Sequence, residues 1–258
     1  MNKRVLVTGS TKGIGQGVLQ KFHEENWDVC VSGRDNQLVE KLTHRLNEVR
    51  ENSTIGLSAD LAQGEDIERV FKYINEKWGY LDCVVFNIGS GAGTKGLDAT
   101  FESNLLLMNI NLINTVKQFK VFLPLIKNSE KPGAAIFIGS IAQNSNVDSP
   151  LAYSHSKRAL NVFARNQALN LAESRIRVNV INPGHTFTEV GVWGKRRKES
   201  IVAFDEFVSR SIPLGSIGKT EDIAEVVISC ASQDFNKYLT GQIINVDGGS
   251  SLQKGSIW

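Results

Sequence analysis

The sequence predicts an α/β protein built on one doubly wound sheet of seven parallel strands with helices on both faces. Two observations predict this fold. Short apolar runs rich in β-branched residues recur seven times along the 258 residues, and segments with helical spacing separate them. Regular alternation of strand and helix indicates parallel strands joined by helical crossovers. Because no repeat, low-complexity tract or linker divides the chain, one domain covering residues 1–258 is expected.

The strands and helices can be assigned in order. In the first helical segment, Ile14, Val18 and Phe22 recur at i, i+4 and i+8 and form a single apolar stripe. Residues 35–51 and 65–78 are also predicted to be helical, and about six helices are expected in all. The predicted strands are 4–9, 28–33, 53–60, 82–87, 134–140, 176–184 and 241–249.

Composition excludes several classes of partner. The chain has 29 basic and 27 acidic residues, and a net charge of +2 predicts neither nucleic-acid nor membrane-surface binding. Cys30, Cys83 and Cys230 lie far apart in apolar runs, which favours buried thiols over metal ligands or disulfides. The start has too short an apolar stretch for a signal peptide, and no segment approaches 18 consecutive apolar residues. We therefore expect a soluble, cytoplasmic protein without a metal.

The first strand runs directly into a glycine-rich turn. Gly9, Gly13 and Gly15 lie where this strand gives way to a helix. Glycine permits a sharp turn and a close approach to a ligand, and the helix N-terminus attracts phosphate. At this position the motif predicts a dinucleotide cofactor. Asp60 and Asn87, near the ends of the third and fourth predicted strands, are candidates for adenine and loop contacts, although simple capping roles fit as well.

The end of the second strand favours NADP over NAD. A ribose 2′-hydroxyl is usually bound by a carboxylate there, and a 2′-phosphate by a cation. Gly33 occupies the expected position of the acid, Arg34 follows it, and Lys12 adds a cation from the glycine loop. Two solvated basic residues are the plainer interpretation, and Asp35 is near enough in sequence to approach a ribose. Two converging cations nevertheless predict that NADPH is preferred over NADH.

Six motifs in order resemble those of the short-chain dehydrogenase/reductase family, in its compact single-domain branch. The resemblance covers nearly the whole chain and implies a Rossmann-type fold. Ile88 departs from the family pattern, which usually has Ala there. The motifs are TGSTKGIG at 8–15, NIGSG at 87–91, GS at 139–140, YSHSK at 153–157, NPGHTFT at 182–188 and VDGG at 246–249.

The resemblance implies four catalytic residues. Tyr153 and Lys157 are four residues apart, so on a helix they share one face. Tyr153 would act as general acid/base, and Lys157 would lower the pKa of its phenol and bind the nicotinamide ribose. Ser140 would hydrogen-bond the substrate oxygen, and Asn111 would hold a water that connects the proton path to solvent.

The same resemblance implies the residues that contact NADP. They lie in the glycine loop, after the following strands, in the catalytic helix and after the sixth strand. The set comprises Gly9, Ser10, Thr11, Lys12, Gly13, Ile14, Gly15, Arg34, Asp60, Leu61, Asn87, Gly89, Tyr153, Lys157, Pro183, Gly184, Thr186 and Thr188.

The predicted function is NADP-dependent interconversion of a carbonyl and a secondary alcohol in a small molecule. By resemblance, 3-oxoacyl thioesters and sugars or polyols are the leading substrate classes. Residues 186–212 lack a strand signal and are expected to form a substrate lid. The basic run 195–198 in the lid is either a solvated face or a contact for an anionic substrate. A non-catalytic NADP-binding sensor or scaffold is the alternative function.

Two segments carry more apolar residues than one sheet can cover. Residues 104–127 and 152–172 are apolar around most of their circumference, which predicts that both faces are buried. The resemblance implies a homotetramer in which these helices pair across two-fold axes, with a second contact near the closing strand. Coverage by the lid and the C-terminal tail, residues 250–258, is the alternative.

Overall fold

A computed structural model describes residues 2–62, 64–144 and 149–252. Its centre is a seven-stranded sheet in the order β3-β2-β1-β4-β5-β6-β7, and every neighbouring pair is parallel. The predicted fold class is therefore confirmed. The strands are β1 Arg4–Val7, β2 Asp28–Gly33, β3 Thr54–Ser58, β4 Cys83–Phe86, β5 Ala134–Ile138, β6 Arg177–Pro183 and β7 Ile243–Val246.

Most strands end one to three residues before the predicted limit. Asp60, Asn87 and Ser140 were expected to end strands, but they lie in the turns that follow β3, β4 and β5. The main chain leaves the ladder there because a polar side chain can bond to neighbouring loops at the sheet edge. These turns all lie at the carboxyl edge of the sheet, where open α/β proteins bind ligands.

Helices cover both faces of the sheet. α1 and α9 pack together on one face, and α3, α5 and α6 pack on the other. The described residues contain more than the six helices expected, chiefly because the region after β6 is itself helical. The helices are α1 Gly13–Glu24, α2 Asn36–Val49, α3 Gly64–Lys77, α4 Phe101–Met108, α5 Asn114–Lys127, α6 Leu151–Asn170, α7 Val192–Glu199, α8 Ile201–Ser211, α9 Thr220–Ala231 and α10 Gln233–Asn236.

The segment 104–127, predicted as one helix, is interrupted. A single π-helical stretch, Asn109–Ile113, joins α4 to α5. The expectation that both faces are buried is wrong within this chain, since Leu106 and Ile113 are more than half exposed. α6 likewise buries one face and exposes Val162 and Leu169.

Two further expectations can be compared with the described residues. All three cysteines are buried with free thiols, as predicted. Among the described residues, no helix is long and apolar enough to cross a membrane. Residues 253–258, which the tail alternative would use to cover the apolar face, lie outside the description.

Candidate active site

The glycine loop makes a tight turn between β1 and α1. Gly9 and Gly13 have φ angles of 66° and 60°, which favour glycine. A Cβ at Gly15 would lie 2.4 Å from Nδ2 of Asn87 and 2.5 Å from the carbonyl of Gly9, so no side chain fits. The N-cap residue Lys12 makes no side-chain cap, which leaves the first N–H groups of α1 free to bind an anion.

At the end of β2, glycine stands at the expected position of the acid, and the nearby Asp35 caps a helix. A Cβ at Gly33 would lie 2.6 Å from both the methyl and the hydroxyl of Thr11, so an acidic residue cannot fit without moving that side chain. The carboxylate of Asp35 accepts a hydrogen bond from the main chain of α2 at 3.2 Å and caps this helix. Lys12 and Arg34 are both exposed at this edge. This composition suits a phosphate better than a hydroxyl.

The turn after β3 is held from two helices. Asp66 accepts a 2.6 Å hydrogen bond from the N–H of Asp60, which lowers the pKa of the Asp66 carboxyl. Gln118 of α5 donates to the carbonyl of Leu61 at 3.0 Å, and Asn114 donates to the next carbonyl at 2.9 Å. Sequence reasoning identified Asp60 and Leu61 but missed these supports. Asn114 and Gln118 lie more than 50 positions from the carbonyls they bond, and the nearby Asp66 was missed as well.

The turn after β4 is fixed by two asparagines. Asn87 donates to the carbonyls of Thr8 and Gly9 at 3.0 and 3.2 Å and so joins this turn to the glycine loop. Asn111 is fully buried and bonds both main-chain groups of Ser90, each at 2.9 Å. It also donates to a carbonyl in the preceding helical turn at 2.8 Å. Its side chain is thus engaged with the protein, and the role of Asn111 in holding a water stays a prediction.

Ser140, Tyr153 and Lys157 come together as predicted. Tyr153 and Lys157 lie on α6, and the Ser140 hydroxyl lies close enough to the Tyr153 phenol to lower its pKa. The Lys157 ammonium is buried and donates to the carbonyl of Ile138 at 2.9 Å. It lies 5.9 Å from the centre of the Tyr153 ring. A Cβ at Gly89 would lie 3.0 Å from this ammonium, so the β4 turn closes over it.

The protein alone does not give Tyr153 a low pKa. Burial raises the pKa of its phenol, and the hydrogen bond with Ser140 opposes that rise. Burial also lowers the pKa of Lys157 to about 8. The ammonium bonds the carbonyl of Ile138, and the expectation that Lys157 lowers the pKa of Tyr153 in the cofactor-bound site stays a prediction.

The residues after β6 return to the glycine loop. Gly184 packs against Asp247, where a Cβ would lie 2.5 Å from the Asp247 side chain. The buried hydroxyl of Thr186 donates to the carbonyl of Gly184 at 3.3 Å. A Cβ at Gly13 would lie 3.8 Å from the methyl of Thr188. Residues 183–188 thus lie between the catalytic edge and the N-terminus of α1.

The predicted lid is two helices and an aromatic cluster. Trp193 of α7 stacks on Phe207 of α8 with their ring centres 4.4 Å apart, and His185 contacts both rings edge-on. Burial and the nearby Arg196 lower the pKa of His185. A cavity of about 330 Å³ lies beside this cluster. It is lined by Phe187, Glu189, Gly194, Arg197, Lys198 and Ile201.

The basic run of the lid is partly engaged with aromatic rings. The guanidinium of Arg196 lies 4.8 Å from the Trp193 ring, and that of Arg197 lies 5.6 Å from the Phe187 ring. Lys195 and Lys198 are exposed. Two of the four cations, Arg197 and Lys198, therefore face the cavity.

A family model described as enoyl-(acyl carrier protein) reductase matches residues 9–251. Among curated proteins, the chain is 31% identical over 251 residues to a rhamnolipids biosynthesis 3-oxoacyl-[acyl-carrier-protein] reductase of Pseudomonas aeruginosa, covering 96% of this chain and 95% of the relative. It is 27% identical over 253 residues to carbonyl reductase family member 4 of Xenopus tropicalis, covering 98% and 100%.

Solved structures resemble the chain over almost its full length. A short-chain dehydrogenase/reductase of unknown function from Caenorhabditis elegans, solved with cofactor, superposes with a TM-score of 0.90 at 27% identity, covering 99% of this chain and 97% of the other. An RhlG/NADP active-site complex from Pseudomonas aeruginosa gives a TM-score of 0.87 at 28% identity, covering 97% and 96%.

Proposed function

Because the chain belongs to the short-chain dehydrogenase/reductase family, we propose that it is an NADP-dependent oxidoreductase that interconverts a carbonyl and a secondary alcohol. The observation that carries the proposal is the placing of the Ser140 hydroxyl and the Tyr153 phenol at one site beside the buried ammonium of Lys157. Two hydroxyls next to a buried cation are suited to binding a carbonyl oxygen and exchanging a proton with it.

The cofactor residues fit NADP. The free N–H groups at the start of α1 would hold the pyrophosphate, and Lys12 and Arg34 would hold the 2′-phosphate. Any side chain at position 33 would clash with Thr11, and Asp35 serves as a helix cap. Both observations disfavour NAD. The relative from Pseudomonas aeruginosa solved with NADP supports the same preference.

The protein residues would manage the proton. When bound, NADPH supplies the hydride to the carbonyl carbon. Tyr153 gives its phenolic proton to the carbonyl oxygen, so the substrate gains one hydride and one proton and becomes an alcohol. Ser140 donates a hydrogen bond to the same oxygen. The phenol regains a proton from solvent, which restores the enzyme.

Lys157 has two proposed tasks. Its buried ammonium would donate to the nicotinamide ribose and, as a nearby positive charge, would favour the phenolate of Tyr153. Asn111 would hold Ser90 and thereby keep the turn after β4 against Lys157. The remaining proposed cofactor contacts lie after β3 and at or after the end of β6. They are Asp60, Leu61, Pro183, Gly184, Thr186 and Thr188.

Residues 186–212 would form the substrate lid of this single domain. The aromatic cluster joins α7 and α8 to His185 in the turn after β6, so a movement of the lid is coupled to the proposed cofactor turn. The cavity beside Arg197 and Lys198 is a place for the negative end of an anionic substrate.

A substrate panel tests the proposal. An acetoacetyl thioester, a keto-sugar and a simple ketone are each incubated with NADPH or NADH, and absorbance at the reduced nicotinamide band is followed. A 2-enoyl thioester is the matched control, because it keeps the thioester but has a C=C bond in place of the 3-keto group of the acetoacetyl thioester. We expect turnover of at least one ketone with NADPH, faster than with NADH, and none of the enoyl thioester.

Two outcomes contradict the proposal. Reduction of the enoyl thioester alone indicates an enoyl reductase, as the family model's description reads. Tight NADPH binding without turnover of any carbonyl supports the sensor or scaffold alternative.

A further inference from the structure

We propose that Asn182 is a positioning residue that sets the orientation of Ser140 through the main chain. The proposal rests on the carbonyl reduction proposed above, in which Ser140 binds the substrate oxygen. Asn182 lies on β6, beside the turn that carries Ser140, and its side chain is fully buried.

The Asn182 amide links three elements. Its Oδ1 accepts the main-chain N–H of Ser140 at 3.0 Å. Its Nδ2 donates to Oδ1 of Asn245 on β7 at 3.1 Å, and Asn245 donates in turn to the hydroxyl of Ser251 at 3.1 Å. Because an N–H can only donate, the bond to Ser140 fixes which end of the Asn182 amide is oxygen. The amide therefore has one possible orientation.

The geometry leaves no substitute for this amide. Pairing between β5 and β6 ends where Gly139 donates to the carbonyl of Ile181 at 2.7 Å, and the next N–H, that of Ser140, bonds the Asn182 side chain. A Cβ at Gly139 would lie 1.9 Å from Oδ1 of Asn182. Glycine at position 139 thus provides the space that the Asn182 side chain occupies.

The segment from Ile138 to Ser140 carries two catalytic contacts. The carbonyl of Ile138 accepts from Lys157 at 2.9 Å, and the Ser140 hydroxyl accepts from the N–H of Ala142 at 3.1 Å and lies near the Tyr153 phenol. Since the hydroxyl already accepts one bond, its position follows the main chain of Ser140. Without Asn182 the Ser140 N–H has no partner, and the segment is expected to shift until it finds one.

A double-mutant cycle tests the proposal. Asn182→Ala is expected to lower kcat by roughly 100-fold, the loss typical of a displaced catalytic group, with the Kd for NADPH unchanged. On a Ser140→Ala background the same substitution should lower kcat no further, because it acts through Ser140. The assay uses NADPH and the fastest carbonyl of the panel.

Asn179→Ala is the matched control. Asn179 is an equally buried asparagine of β6, but its amide bonds the carbonyl of Leu239 at 2.9 Å and the N–H of Gln242 at 3.0 Å. The fold-loss in kcat caused by Asn179→Ala should multiply with the fold-loss caused by Ser140→Ala. Asn182→Asp keeps an acceptor oxygen for the Ser140 N–H, so it should retain more activity than Asn182→Ala.

A substrate-free measurement separates this inference from the proposed function. The Tyr153 phenol is titrated by tyrosinate absorbance. For each variant, the absorbance of the same variant carrying Tyr153→Phe is subtracted, so that only the signal of Tyr153 remains. Asn182→Ala should raise the apparent pKa of Tyr153 as far as Ser140→Ala does, and Asn179→Ala should leave it unchanged. If Asn182→Ala leaves the Tyr153 titration unchanged, or its kcat loss multiplies with that of Ser140→Ala, the inference is wrong. If the titration shifts but Ser140→Ala and Tyr153→Phe keep full turnover, only the catalytic assignment fails.

Discussion

At the end of the sheet formed by β1 and β2, the proposed cofactor residues are glycines, main-chain groups and exposed cations. Between β5 and β7 the site is instead built from buried polar side chains. Lys12 and Arg34 extend into solvent, whereas Asn182 is fully buried and Lys157 nearly so.

The two ends of the site would therefore bind their ligands in different ways, one through exposed main-chain groups and the other through buried polar side chains. The nucleotide end removes side chains so that a ligand can approach the backbone, and this costs little stability when the ligand is absent. The catalytic end buries polar groups whose hydrogen-bonding capacity must be met inside the protein. Substitutions at the first end should therefore alter binding, and substitutions at the second should alter both rate and stability.

The largest effect is expected at Tyr153. Tyr153→Phe removes the proton donor but keeps the ring, so turnover should fall by about 10³-fold while the Kd for NADPH stays within a small factor. Tyr238→Phe, which changes a fully exposed tyrosine, is the control. Stopped-flow turnover and fluorescence titration of NADPH measure the two quantities, and near-normal turnover would rule out Tyr153 as the acid/base.

Lys157→Met should inactivate the enzyme and yet stabilise the apo protein. The Lys157 pKa of about 8 lies below its unfolded value of 10.5, so the unfolded state binds the proton more tightly. This disfavours folding below pH 8 by up to about 3 kcal/mol, a penalty that fades as the pH rises from about 8 to 10.5. Urea unfolding at pH 7 and pH 10 should show a gain that shrinks at the higher pH.

Lys21→Met is the matched control with the opposite sign. Hydrogen bonds with Glu225 and Glu25 raise the Lys21 pKa to about 12, so this lysine stabilises the fold below its unfolded pKa. Its removal should lower stability at pH 7. If Lys157→Met lowered the free energy of unfolding at pH 7, the buried Lys157 ammonium would not destabilise the fold, and this prediction would be wrong.

Arg34→Ala tests the nucleotide end. A charged contact with the 2′-phosphate contributes about 1.5–3 kcal/mol, so the Kd for NADPH should rise about 10- to 150-fold while that for NADH stays unchanged. Arg45→Ala removes the same charge from an exposed position of α2 and should change neither Kd. An equal loss for both cofactors would show that Arg34 does not contact the phosphate.

The smallest effect in energy is expected at the exposed apolar residues of α4, of the π-helical stretch and of α6. We propose that copies of the chain cover these residues in a tetramer, because Leu106, Ile113 and Leu169 are each more than half exposed in the single chain. Leu106→Glu should reduce the mass measured by light scattering, and Val49→Glu, at a more exposed apolar position on α2, should not. A wild-type mass near 28.4 kDa would contradict the tetramer.

The sequence predicted the nucleotide end well because its signals are local. A glycine loop, a missing acid and an adjacent arginine all fall within a few positions of a strand end, and the strand they follow is recognisable from its apolar run. The Tyr153–Lys157 pair was equally accessible, since four residues on a helix always share a face. The parallel pairing of the strands followed from the alternation of strands and helices, whereas the order of the strands came from the structure.

Tertiary structure alone decided what holds these residues in place. The hydrogen bonds that do so join positions 21 to 57 residues apart. They connect Asn111 to Ser90, Asn114 and Gln118 to the turn after β3, and Ser140 to Asn182. The exposed face of α4 to α6 was likewise hidden, because a sequence gives the amount of apolar surface but not the area that the sheet leaves uncovered. The identity of the reacting groups can be read from short sequence motifs, whereas their orientation depends on hydrogen bonds and packing between distant parts of the chain.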